Sequence, residues 1–316
     1  VSQFTIYRST DGSAPTLSGT AGDLTTLLDA CLVNGYGAKA NAGWTIAYTA
    51  TNRRAYRNGS GSTQLYWRVR DDAGGTGGAK EALIRGYETM SDVNTGTNPF
   101  PTNAQLALTD NSLMIRKSAT ADATARAWIV VADAKTCYVF IATGDLANTY
   151  IGTGFGDCYS VVSGDVWNAF VIARGAENTA TVTSNGGELD ALQSALNNTM
   201  AGHYLARSYT GASGSYQFCC VTTWSATSFA FSTVYPPYPN PADNSIYLSR
   251  VFIGSSSGLV HLRGYLRGLW HWLHNGGVND GDTFNGSGDL AGKTFLIVKF
   301  SQNQGCFVIE TSNTLP

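Results

Sequence analysis

The chain has 316 residues, enough to bury a substantial core as one large domain or two smaller ones. Only 13% are Asp, Glu, Lys or Arg, about half the roughly 25% usual in soluble domains, while 43% are hydrophobic and 36 residues are Gly. A net charge of −2 with scattered basic residues excludes the basic footprint of a nucleic-acid binder, and no apolar run reaches the roughly 18 residues of a membrane-spanning helix.

Gly, Ser and Thr together supply close to a third of the chain, a profile of short strands and many turns. Fourteen of the 20 basic residues are Arg. Interfaces favour Arg and aromatics over Lys, so with seven Trp and sixteen Tyr the composition reads in two ways: a surface covered by neighbours, or an ordinary uncharged β surface. The opening VSQFTIYRST is not a basic region followed by an apolar one, so no uncleaved signal peptide is expected; a processed one stays open.

The first predicted element is a helix over Asp23 to Asn34. Leu24, Leu27, Leu28, Cys31 and Leu32 form an i, i+3, i+4, i+7, i+8 stripe, with Asp23 at the positive end of the dipole and Gly35 as the terminator. Leu65, Trp67 and Val69 then alternate with Tyr66, Arg68 and Arg70. The glycine-rich stretch from Asp71 to Gly78 connects that strand to a second over Ala82 to Thr89, a hairpin with a long loop. VNTGTNPFPTNA, Val93 to Ala104, reads as a linker. Trp128 to Ala132 and Cys137 to Ala142 form a hairpin about Asp133-Ala134-Lys135-Thr136. Further short strands are expected at Trp167 to Ala173, Tyr204 to Tyr209, Tyr216 to Thr223 and Ile246 to Ile253, with a last hairpin from Phe295 to Phe300 and Cys306 to Thr311. Glu188 to Asn197 could make one further short helix, and YPPYPNPADN, Tyr235 to Asn244, an extended solvent-facing crossing. The expected fold is therefore mainly β, with antiparallel sandwich or jelly-roll-like sheets and one amphipathic N-terminal helix. Residues 1–114 would form an α+β region and 115–316 a β-rich one, unless the whole is one compact domain.

The motifs that carry chemistry are weak. Cys31, Cys137, Cys158, Cys219, Cys220 and Cys306 include no C-x-x-C pair, and adjacent strand residues face opposite ways, so buried free thiols are expected. His271 and His274 in GLWHWLHNGG would share a helical face and could hold a metal, but the flanking apolar residues favour edge hydrogen bonds. The oxygen-rich NDGDTFNGSGD, Asn279 to Asp289, breaks the EF-hand order at Phe284 and lacks the closing Glu, which leaves a solvated turn. Gly152-Thr153-Gly154-Phe155-Gly156 lacks the setting of a dinucleotide site. Asp71 paired with Glu81 or Glu88 on facing strands has the form of a glycosidase pair and equally that of surface charges. No catalytic set, cofactor or metal is expected.

Several segments are similar to a family of tailed-bacteriophage virion structural proteins. They are RSTDGSAPTLSGTAGDLTTLLDACLVNGYGAKANAGWT (Arg8 to Thr45), IRGYETMSDVNTGTNPFPT (Ile84 to Thr102) and IRKSATADATARAWIVVADAKT (Ile115 to Thr136), then HYLARSYTG, PNPADNSIYLS and GDTFNGSGDLAGKTFLIVK (His203 to Gly211, Pro239 to Ser249 and Gly281 to Lys299). The resemblance implies a multicopy, non-enzymatic component of the tail, baseplate or capsid. Such a protein is made in the bacterial cytoplasm and incorporated into the virion, where its partners are further copies of itself and other virion proteins. No catalytic residues carry over. Tyr66, Arg68, Arg70, Trp270 and Trp272 are the candidate interface anchors, with a core role as the plainer assignment for the two tryptophans. A glycan- or receptor-binding module is the alternative, with Trp224, Tyr235 and Tyr238 as stacking candidates for a host surface glycan. A β-rich polysaccharide-degrading enzyme is the third reading.

Overall fold

The computed structural model describes residues 3–145, 150–175, 192, 202–214, 216–221, 237–255, 261–274, 277–299, 306–312 and 315. The chain opens with β1 (Thr5–Arg8) and helix α1 (Asp23–Leu28), followed by β2 (Thr45–Ala50), β3 (Arg53–Arg57), β4 (Tyr66–Arg70), β5 (Glu81–Met90), β6 (Gly96–Phe100) and β7 (Leu113–Arg116). Next come β8 (Trp128–Ala132), β9 (Thr136–Ile141), β10 (Ile151–Asp157), β11 (Tyr159–Ser160), β12 (Ala169–Ile172) and β13 (His203–Leu205). The last strands are β14 (Tyr216–Val221), β15 (Leu248–Ser255), β16 (Leu262–Trp272), β17 (Thr283–Asn285), β18 (Thr294–Lys299) and β19 (Cys306–Glu310).

Strands β2 to β6 pair in chain order as one antiparallel sheet, and β7 shares an edge of β5 with β6. The remaining strands run β1-β8-β9-β10-β12-β13-β14-β15-β16-β19-β18-β17, with β11 beside β16. Strand β14 joins two ladders here: Tyr216 and Gln217 pair with β13, and Phe218 to Val221 with β15. The described residues thus form three antiparallel sheets, two of them continuous through one strand, and the expectation of a mainly β fold with one N-terminal helical segment holds.

The six-stranded sheet packs its apolar face on the long sheet. Trp67 of β4 donates its indole N–H to the Phe170 carbonyl of β12 at 3.0 Å, and its ring lies 5.4 Å from Trp44 and 6.5 Å from Phe155 of β10. One buried cluster extends from Phe4 to Leu315, and a smaller one surrounds Trp270, Trp272 and Phe295. The expected boundary at residues 114/115 falls inside β7, where Met114 exchanges backbone hydrogen bonds with Arg174, and the larger core crosses it.

The predicted helix forms over its expected span but in two windings. Asp23 to Leu28 is α-helical, and Asp29 to Asn34 widens to a π-helix that ends when Gly35 N–H bonds to the Ala30 carbonyl. No side chain caps its N-terminus locally; Asp71, at the end of β4, accepts the Leu24 N–H at 2.8 Å. The other Asp71 oxygen takes the Lys117 ammonium, which also bonds to the Thr20 carbonyl at 2.7 Å. Both side chains are wholly buried.

The Val93 to Ala104 linker contains β6, and Phe100 is buried against Trp67. The hairpin of β2 and β3 went unpredicted. The glycine run from Gly152 to Gly156 is strand β10; a Cβ on Gly154 would meet the Tyr138 ring at 3.0 Å and the Phe170 ring at 3.2 Å, so the bare backbone makes room for two aromatics. The segment holding His271 is strand β16 rather than helix, and Asn279 to Asp289 includes β17, paired to β18. The second expected helix, Glu188 to Asn197, lies outside the described residues apart from buried Leu192. Cys31, Cys137, Cys158 and Cys306 are buried free thiols, and burial pushes Cys158 up to about 12 and Cys306 up to about 11; the side chains of Cys219 and Cys220 lie outside the described residues.

Removing one partner of a buried ion pair strands the other charge. Lys117→Met is therefore expected to cost about 3–5 kcal/mol in urea unfolding. Asp71→Asn/Lys117→Met is expected to cost less than the two single losses added, because the partners are coupled.

Candidate interaction surfaces

Tyr66, Arg68 and Arg70 of β4 lie on the face opposite Trp67 and Val69, and none of the three is fully exposed. Arg68 is 3% exposed and is held by Asp110 and by Ser112 Oγ at 3.0 Å. Arg70 binds Asp72 at 2.9 Å, and half-buried Tyr66 stacks on Tyr48 under the Arg57 guanidinium. The loop that carries Asp110 covers this face of the sheet, a placement the alternating pattern does not encode. Trp270 and Trp272 are core residues, 6% and 2% exposed. Trp270 donates to Glu310 at 3.2 Å beneath Arg250. These corrections remove Arg68, Trp270 and Trp272 as surface anchors. Trp224 and Tyr235 lie outside the described residues, and Tyr238 is exposed.

The carboxylates considered as a pair are each bound to a cation: Asp71 to Lys117, Glu81 to Arg116 and Glu88 to Arg207. His271 and His274 do not share a site. His271 is buried within β16, whereas His274 accepts the Tyr247 N–H at Nε2 (2.6 Å) and so donates from Nδ1 to the Pro237 carbonyl (3.1 Å). In the Asn279 to Asp289 segment, Asp282 and Asp280 accept the backbone N–H groups of Asn279 and Lys299, which fixes the turn before β18. Among the described residues no helix is long and apolar enough to cross a membrane.

Two surfaces stand out. The first surrounds Arg263 on β16. Its guanidinium binds both oxygens of Asp165 at 2.9 Å, the Trp167 carbonyl at 2.9 Å and the Arg207 carbonyl, tying three segments together although it is only 3% exposed. Arg207 in turn chelates Glu88 of β5 at 2.6 and 2.7 Å, and its guanidinium lies 3.6 Å over the Trp167 ring. Beside this hub is a cleft of about 480 Å³ lined by Thr63, Lys135, Asp157, Ser160, Asp165 and Arg267 among others. Burial pushes the Asp157 carboxyl up, while donors from Thr63 and Asn58 pull it back. Arg267 chelates Asp133 at 3.0 and 2.8 Å. The acidic groups lining the cleft are spent on holding its shape.

Val161, Val166, Tyr209 and Leu262 are four of the six exposed large hydrophobic residues among those described, and all lie at this corner. Val161 N–H bonds to the Arg263 carbonyl, Val166 sits between two partners of the guanidinium, Leu262 adjoins Arg263 in sequence, and the Tyr209 ring lies 5.2 Å from His261. The other two, Tyr238 and Tyr247, form the second surface, both against the His274 ring at 5.9 Å. Val161 and Val166 lie in the turn-rich connection between β11 and β12, where no periodic pattern marks a surface, whereas Tyr238 stands out by its aromatic, proline-rich loop.

No protein-family model matches the chain, and no curated protein is significantly similar to it.

Burial pushes the His271 imidazole down to about 4. The native chain refuses a proton that the unfolded chain accepts near 6.5, so this residue's contribution is complete above that pH and is lost as pH falls towards 4, a change of roughly 3 kcal/mol. Urea unfolding of wild type and His271→Phe between pH 7 and pH 4 is expected to show that decline in the wild type and its removal in the variant.

Proposed function

We propose that the chain is a multicopy, non-enzymatic structural component of a bacteriophage particle, in the tail, the baseplate or on the capsid, that works through protein–protein interfaces. The observation that carries the reading is the gathering of Val161, Val166, Tyr209 and Leu262 at the Arg263 corner, where they are 44–63% exposed. Scattered apolar residues are ordinary on any surface, whereas a concentration of them marks a contact. The corner is also rigid: Arg263, Asp165, Arg207 and Glu88 lock the segments beneath it, which lowers the ordering cost of association.

The resemblance of segments along the chain to virion proteins supplies the setting. The ion-paired carboxylates favour a structural role over hydrolysis, because a catalytic acid or base must be free to exchange its proton. A second copy of the chain is the partner this reading commits to, and closed symmetric rings are the arrangement expected of such contacts. A stable contact would extend over about 800 Å² per partner.

Sedimentation and native mass spectrometry of the purified chain are expected to show concentration-dependent association. Val161→Glu/Leu262→Glu should weaken it at least tenfold, since unpaired charge buried at a contact is costly, with an unchanged melting curve. Mass spectrometry of particles should find the chain in many copies. A chain that stays monomeric at high concentration and is missing from particles would falsify the proposal.

A further inference from the structure

The second surface lies within one short segment, Tyr238 to Tyr247, and combines three kinds of group. The first is a pair of fixed aromatic rings. Tyr238 rests on Trp272 at 5.2 Å and on His274 at 5.9 Å, and Gly277, with φ +84°, leaves space where a Cβ would run into the tyrosine ring. Tyr247 stacks on the His274 ring at an interplanar angle of 27°. The rings are nevertheless 38% and 42% exposed. Fixed rings of this kind lose little entropy on binding.

The second group is an ionised carboxylate. Asp243 accepts the Tyr247 hydroxyl, the Ser245 N–H at 3.0 Å and the Asn240 side-chain amide at 2.6 Å, and these donors hold its carboxyl down to about 2. The third is the Asn240 amide itself, whose carbonyl oxygen and second N–H add an acceptor and a donor beside the carboxylate. His274, donating to the Pro237 carbonyl and accepting from Tyr247 N–H, pins both ends of the segment to β16.

From this arrangement we infer that the Tyr238–Tyr247 segment binds a neutral pyranose unit of an oligosaccharide. A pyranose presents a face of C–H groups, slightly positive, that matches the negative face of a tyrosine ring, and an equatorial rim of hydroxyls that donate to a carboxylate and exchange hydrogen bonds with an amide. Acidic sugars are disfavoured because the ionised Asp243 would repel them. A protein partner suits the segment less well, because no other exposed large hydrophobic among the described residues adjoins the two rings, and the tyrosine hydroxyls and the Asp243 carboxylate would have to be desolvated. This inference is independent of the assembly proposed above, since a monomeric chain would bind equally.

The test is an array of neutral and acidic oligosaccharides probed with the full chain, followed by titration of the best neutral ligand. Tryptophan fluorescence is a suitable signal, because Trp272 lies directly under Tyr238. Tyr238→Ala and Tyr247→Ala are each expected to weaken binding at least tenfold while leaving the melting curve unchanged. Tyr247→Phe, which keeps the ring, should lose only a few-fold, and Asp243→Asn should relax the bias against acidic sugars. Silence of the folded wild type towards neutral oligosaccharides, retention of acidic ones only, or affinities unmoved by both alanine variants would each overturn the inference. Binding to a second copy of the chain through these tyrosines would overturn it as well.

Discussion

The buried pair of Asp71 and Lys117 is the constraint that fixes helix α1 against the six-stranded sheet. Asp71 follows β4 and Lys117 follows β7, strands that flank β5 on opposite sides. Between them they also hold the Thr20 carbonyl and the Leu24 amide, so the start of helix α1 is bound to the six-stranded sheet by charge-assisted hydrogen bonds. Two charges without water are tolerable only when their remaining donors and acceptors are satisfied. That condition makes the pair selective: the helix N-terminus has no local cap, and only this approach of the sheet supplies one.

The same solution recurs at several places where distant parts of the chain meet. Arg116 joins Glu81 and Asp145, Arg267 joins Asp133, Arg263 joins Asp165, and Arg207 reaches Glu88 in the other sheet. Six of the fourteen arginines are buried. A planar guanidinium with five donors can chelate a carboxylate and still bond backbone carbonyls, which an ammonium cannot do to the same extent, and this accounts for the preference for Arg inside the fold. The composition that suggests an interface is in large part the signature of these internal clamps.

Among the described residues, the exposed large hydrophobics fall in two places of different chemistry: a largely aliphatic corner braced by Arg263, and a pair of tyrosines beside an ionised carboxylate. The first has the character of a contact between protein surfaces, the second that of a site for a hydroxylated ligand. The two do not conflict, because they lie on separate segments and neither uses the other's residues.

The local elements were legible in the sequence where one face of a segment is buried. The stripe from Leu24 to Leu32, the alternation at Leu65 to Val69 and the Asp133 turn each follow from short-range periodicity and turn chemistry, and each forms as expected. Segments buried on both sides or lacking side chains were not legible: β10 alternates glycines, two of which leave room for neighbouring aromatic rings, and β6 carries Pro99 within it and Pro101 just after it, which reads as loop. Tyr238 could be marked from its loop, yet its partner Tyr247 and the bracing His274 could not, since they come together only when β15 and β16 pair. By itself the sequence determined a charge-poor, antiparallel β protein with one amphipathic N-terminal helix. Only the tertiary structure decided which six arginines are buried and which apolar residues stay outside, because ion pairs between residues as far apart as Arg207 and Glu88 are set by strand order, which local periodicity does not carry.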